Sequence, residues 1–116
     1  MYGLPHGFDA SVFVGRTLEH VTFTTNTVHF GFDGNVAITL FSSFQHGWLG
    51  TVSEEKVPVQ SSGVMSMLGQ VVRLAEGRPD GTLKLQFEGG EALICRDDSG
   101  HYESYQLQLG DREIVV

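Results

Sequence analysis

The two halves of this chain read alike, and that limits the fold more than any other feature of the sequence. Phe30, Phe32, Asp33, Gly34 and Ala37 align without a gap on Leu85, Phe87, Glu88, Gly89 and Ala92. Upstream, Phe13-Val14-Gly15-Arg16 aligns on Met67-Leu68-Gly69-Gln70, with one extra residue in the second half at Arg78-Pro79-Asp80-Gly81. Apolar alternation alone matches by chance; a shared turn and a shared upstream glycine do so less readily. The halves run from 9 to 44 and from 61 to 97.

Each half predicts a short helix and then three strands. In the first, Asp9 is placed to cap a helical turn over Ala10-Ser11-Val12-Phe13, because its carboxylate can accept a free backbone N–H. Thr17 to Thr24 is rich in β-branched and aromatic residues. Val28, Phe30 and Phe32 alternate with His29 and Gly31, the period of a strand with one buried face. Asp33-Gly34 predicts a two-residue hairpin turn, and Val36 to Phe44 the return strand.

In the second half, Ser61-Ser62 can cap a helix carrying Val64, Met65 and Leu68, ended by Gly69. Strands follow over Val71 to Glu76, Thr82 to Phe87 and Ala92 to Arg96, with a turn at Gly89-Gly90. A last hairpin over 105–116 turns at Gly110-Asp111, with glycine where a type II′ turn needs it. The stretch 45–60 has no clear period and holds Pro58, so it reads as a linker. The expectation is a single mainly β (α+β) domain over 1–116. It would be an antiparallel sheet of about seven or eight strands, curled into a roll or open barrel with two short helices.

Charge narrows the function. The chain of 116 residues carries a formal charge of −7, and its seven cations (Arg16, Lys56, Arg73, Arg78, Lys84, Arg96, Arg112) are scattered. Nonspecific nucleic-acid binding is therefore not expected, whereas a basic protein partner would be attracted. The single cysteine, Cys95, excludes an internal disulfide. Its neighbour Arg96 would favour a thiolate, but Cys95 matches Leu40 in the repeat and reads as a core thiol. No apolar run is long enough to span a bilayer and no secretion leader is evident, so the expected location is the cytoplasm. No membrane contact, metal or other cofactor is expected.

Three groups of residues are candidate sites. Asp97, Asp98, His101, Tyr102, Glu103 and Tyr105 crowd into the segment Asp97–Tyr105, where carboxylates and imidazole could ligate a metal or small molecule. The same letters make a capped turn, with Asp98 or Ser99 as the cap and both tyrosines packed on the sheet. His46, Trp48 and Leu49, flanked by Gly47 and Gly50, offer a partner-binding surface, unless Trp48 plugs one end of the roll. His20 and His29 fall on predicted strands and could pair across a hairpin on zinc, but each is more simply a surface or core group. No catalytic constellation is predicted: there is no Gly-x-Ser-x-Gly and no phosphate-binding loop.

The opening Tyr2-Gly3-Leu4-Pro5, the Val14-Gly15 step and the ending Asp97-Asp98-Ser99…Tyr102-Glu103-Ser104-Tyr105…Arg112-Glu113-Ile114-Val115-Val116 resemble a family of small bacterial proteins of unknown function. The resemblance covers nearly the whole chain and implies no activity or ligand. The functional expectation is thus a non-enzymatic module of immunity or antitoxin type that binds a protein through its acidic surface, with a homodimer through the terminal hairpin as one form. The alternative is a small-ligand or metal binder using the segment 97–105.

Overall fold

The computed structural model describes residues 3–48, 51–59, 62–97 and 104–116. Among these there are ten strands, not seven or eight, and two 3-10 turns in place of helices. In chain order they are η1 (Ala10–Phe13), β1 (Leu18–Phe23), β2 (Val28–Phe32), β3 (Val36–Leu40), β4 (Phe44–Trp48), β5 (Thr51–Glu55), η2 (Val64–Met67), β6 (Val72–Gly77), β7 (Leu83–Phe87), β8 (Glu91–Cys95), β9 (Tyr105–Leu109) and β10 (Arg112–Val115).

The expectations fail where alternation is weak. The stretch 45–60, expected to be irregular, carries β4 and β5 instead. Gly47 and the exposed face of β5 hide the period there, and backbone pairing with β8 supplies the order that side chains do not announce. The Asp33-Gly34 turn has three residues, since Phe32 pairs with Val36, and both Gly34 (φ 77°) and Asn35 (φ 59°) take the left-handed conformation. Asp9 does cap η1, accepting from Ser11 N at 3.0 Å. In η2 the buried residues are Val64 and Met67, while Met65 and Leu68 are exposed. A 3-10 turn repeats every three residues, so positions three apart share the inner face.

The strands form two five-stranded antiparallel sheets, β1-β2-β3-β9-β10 and β5-β4-β8-β7-β6, and neither closes into a barrel. The sheet begun by β1–β3 is completed by the hairpin β9–β10, and the sheet of β6–β8 by the hairpin β4–β5. The two sheets meet at one corner, where Thr17 and Val71 form an isolated bridge. Four backbone bonds surround it: Gly15 N to Val72 O, Gly69 N to Leu18 O, Leu18 N to Gln70 O and Val72 N to Arg16 O.

The inner faces share one apolar core. Val28, Phe30, Ile38, Leu40, Tyr105 and Leu107 of the first sheet and Phe44, Leu83, Leu85, Leu93 and Cys95 of the second are all buried. Phe30 and Phe44 meet edge to face across the two sheets, 5.8 Å between centroids. On the second sheet two buried polar side chains, His46 and Glu91, interrupt this apolar face, and that place is the candidate site.

Candidate functional site

Glu91 opens β8 and points inward, with 1% of its surface exposed. His46, third residue of β4 and also inward, is 8% exposed. Its Nε2 lies 2.8 Å from Glu91 Oε2. The third member is Ser66 in η2, whose hydroxyl donates to the same carboxylate oxygen at 2.5 Å and lies 2.8 Å from Gly63 O. Gly63 at the start of η2 lies against the imidazole: a Cβ there would touch His46 Cε1 at 3.4 Å. Beside the cluster, Ser62 Oγ donates to Glu55 Oε1 at 2.8 Å and accepts from Val64 N at 3.2 Å.

The fold does not require this polarity. The pairing of β8 with β4 matches that of β3 with β9 residue for residue. Glu91 faces Trp48 where Val36 faces Leu109, and Leu93 faces His46 where Ile38 faces Leu107. Ser66 is the third residue of η2 as Val12 is of η1. At these matching positions β3, β9 and η1 carry Val36, Leu107 and Val12, and β8, β4 and η2 carry Glu91, His46 and Ser66. Burying a carboxylate and an imidazole costs desolvation that an apolar trio avoids, so the polar set is not what stability favours. Its chemistry is that of an exposed hydroxyl on a buried carboxylate, which an imidazole steadies from the other side.

Trp48 lies at the rim of the same region. It is 54% exposed, so it does not plug the sheet end, and its ring flanks Gly90. The neighbouring edge strand β5 is exposed from Thr51 to Glu54. Leu49 lies outside the described residues; of the other two in the expected surface trio, Trp48 is exposed and His46 is buried.

Of the segment 97–105, residues Asp98, His101, Tyr102 and Glu103 lie outside the described residues. Asp97 and Tyr105 have structural partners. Asp97 accepts from Gly3 N at 2.8 Å and from Ser104 Oγ at 3.3 Å. Tyr105 is fully buried and its hydroxyl donates to Gly81 O at 2.5 Å.

His20 and His29 stand together on the outer face of the first sheet, stacked with centroids 5.5 Å apart and planes 17° from parallel. Imidazole lone pairs lie in the ring plane, so such a stack does not converge on one ion. Among the described residues no group of three or more metal-ligating side chains occurs. His29 Nδ1 is held by Thr39 Oγ1 at 2.8 Å. Its partial burial, reinforced by His20, lowers the pKa of its imidazole below the usual value. Cys95 is buried, and burial alone pushes its thiol well up, which removes it as a nucleophile.

Sequence reasoning missed Glu91 and Ser66. The signal for Glu91 was present: in the register that aligns Ala37 with Ala92, a carboxylate stands where the first half has Val36. Ser66 left no such trace, since a serine in a short turn is ordinary. A family model described as Family of unknown function (DUF6188) matches residues 10–116. No curated protein and no solved structure matches the chain.

Proposed function

The chain belongs to the Family of unknown function (DUF6188), and on that premise we propose that it is a protein-binding module of immunity or antitoxin type. The observation that carries the reading is the exposed Trp48 beside the open edge strand β5. An aromatic ring held on a hairpin loses little entropy on docking and makes a strong anchor. An uncovered edge strand offers backbone groups to a partner strand. Val52, 37% exposed, adds apolar area, and Glu54 and Glu55 give the strand an acidic end. With a net charge of −7 behind them, the partner this surface fits is a basic protein that adds a strand to β5.

In this reading the duplicated pattern of the sequence supplies two sheets that differ in task. One hairpin, β9–β10, closes the core, while the other, β4–β5, is left open for the partner. The bonds of Asp97 and Tyr105 support a structural role for the ends of the segment 97–105, which favours this reading over a ligand site there.

The test begins with gentle purification from the protein's own cells and native mass spectrometry to identify the co-purifying chain. Its association is then timed at rising salt for wild type and Trp48→Ala. A basic partner is expected, with an association rate that falls by about tenfold or more between low and high salt. Trp48→Ala is expected to weaken affinity by about tenfold or more. A salt-insensitive rate, or a Trp48→Ala variant that binds like wild type, overturns the proposal.

A further inference from the structure

We propose that Ser66 is a reactive hydroxyl, a nucleophile toward activated acyl or phosphoryl donors, with Glu91 as its base and His46 as the positioning residue for that base. The inference goes beyond partner binding and rests on different residues.

Three observations carry it. The first is connectivity. A nucleophile is recognised by a base within hydrogen-bond reach, itself oriented by a third group. Here Ser66 Oγ lies 2.5 Å from Glu91 Oε2, and His46 Nε2 lies 2.8 Å from that same oxygen. Ser66 has one proton and two acceptors. The contact to the carboxylate is shorter than the 2.8 Å to Gly63 O and is charge-assisted, so the proton goes to Glu91.

The second observation is access. Of the three residues only Ser66 is exposed, so the serine lies at the surface while its base is buried. The third is replacement. The matching register positions on β3, β9 and η1 carry Val36, Leu107 and Val12, so strand pairing does not itself call for polar residues there.

Ser66 Oγ forms a bond to the acyl carbon or phosphorus, the bond to the leaving group breaks, and the hydroxyl proton passes to Glu91 Oε2. The leaving group departs as an anion. A donor with a good leaving group needs no acid to protonate it, which is why the substrate class is an activated one.

The test uses the full chain and diisopropyl fluorophosphate as probe. Oγ–P forms, P–F breaks and fluoride leaves. Intact mass and peptide mapping follow labelling at Ser66 and, in the same molecule, at the exposed Ser11 and Ser53. Ser66 is expected to label about tenfold or more faster than either, and Glu91→Gln to reduce its rate by at least that factor. His46→Leu is expected to slow labelling and His46→Gln, which keeps a donor, to restore it. Equal rates at Ser66, Ser11 and Ser53, or no adduct at Ser66, overturn the proposal without any variant. A folded Glu91→Gln that labels like wild type overturns the role of the base.

Discussion

Tyr105 reaches from the start of β9 to the carbonyl of Gly81, 2.5 Å away, and so ties the last hairpin to the turn before β7. The corresponding position on β4 is Phe44, which has no hydroxyl and needs no partner. Tyr105→Phe keeps the ring and leaves a buried carbonyl unpaired. It should cost about 1–3 kcal/mol, seen as a lower urea midpoint with unchanged slope. A midpoint equal to wild type would mean that water replaces the phenol.

Gly81 itself is constrained twice. Its φ is +96°, and a Cβ would run into the Asp97 side chain and stand 3.1 Å from Gly3 Cα. Gly110 has φ +66°, as its hairpin turn needs, but open space where a Cβ would go. Gly110→Ala should cost about 1–2 kcal/mol of backbone strain. Gly81→Ala should cost more, by an additional amount of about 1–3 kcal/mol for the forced shift of its neighbours. Thermal unfolding of the pair checks the order.

Glu91→Ala leaves the buried His46 imidazole without its carboxylate partner, while Ser66 keeps Gly63 O and solvent. It should destabilise by about 1–3 kcal/mol. The triple change Glu91→Val, His46→Leu, Ser66→Val installs the apolar set of the first sheet. It should recover that loss, because no buried polar group is left unpaired. Denaturant titration of the single and triple variants decides whether the cluster serves stability or something else.

His29 makes folding sensitive to mild acid. Partial burial, and then His20, hold its folded pKa below the ordinary 6.5, so the unfolded chain takes up the proton first. The stability its neutral form provides is complete above 6.5 and is lost as pH falls through that value toward the folded pKa. His29→Gln should flatten this part of the stability–pH curve. His20→Ala should flatten it less, since it removes only the smaller cause. Denaturation midpoints measured across that window test both.

Cys95 should resist thiol reagents in the native protein and react fully in urea, since burial both shields the thiol and disfavours its ionised form. Native reactivity would restore the case for an Arg96-activated cysteine.

Local features of the fold were readable because they depend on near neighbours. The alternation at Val28, Phe30 and Phe32, the cap at Asp9 and the turn glycines Gly34 and Gly110 each express a backbone preference within a few residues. The hairpin β4–β5 was not readable, since Gly47 and an exposed edge leave no periodic trace. The site was partly readable: His46 was a candidate from the sequence, but nothing local joined it to Glu91 or Ser66.

What the sequence by itself determined is the set of strands with strong alternation, their turns and a net negative charge. Those follow from side-chain period and backbone conformation, which act locally. What only the tertiary structure decided is which sheet each hairpin joins. Placing β4 against β8 and η2 over both brings Ser66, Glu91 and His46 together from positions 20 to 45 residues apart. Such contacts are selected by the packing of whole sheets on one core, and no local preference in the chain encodes them.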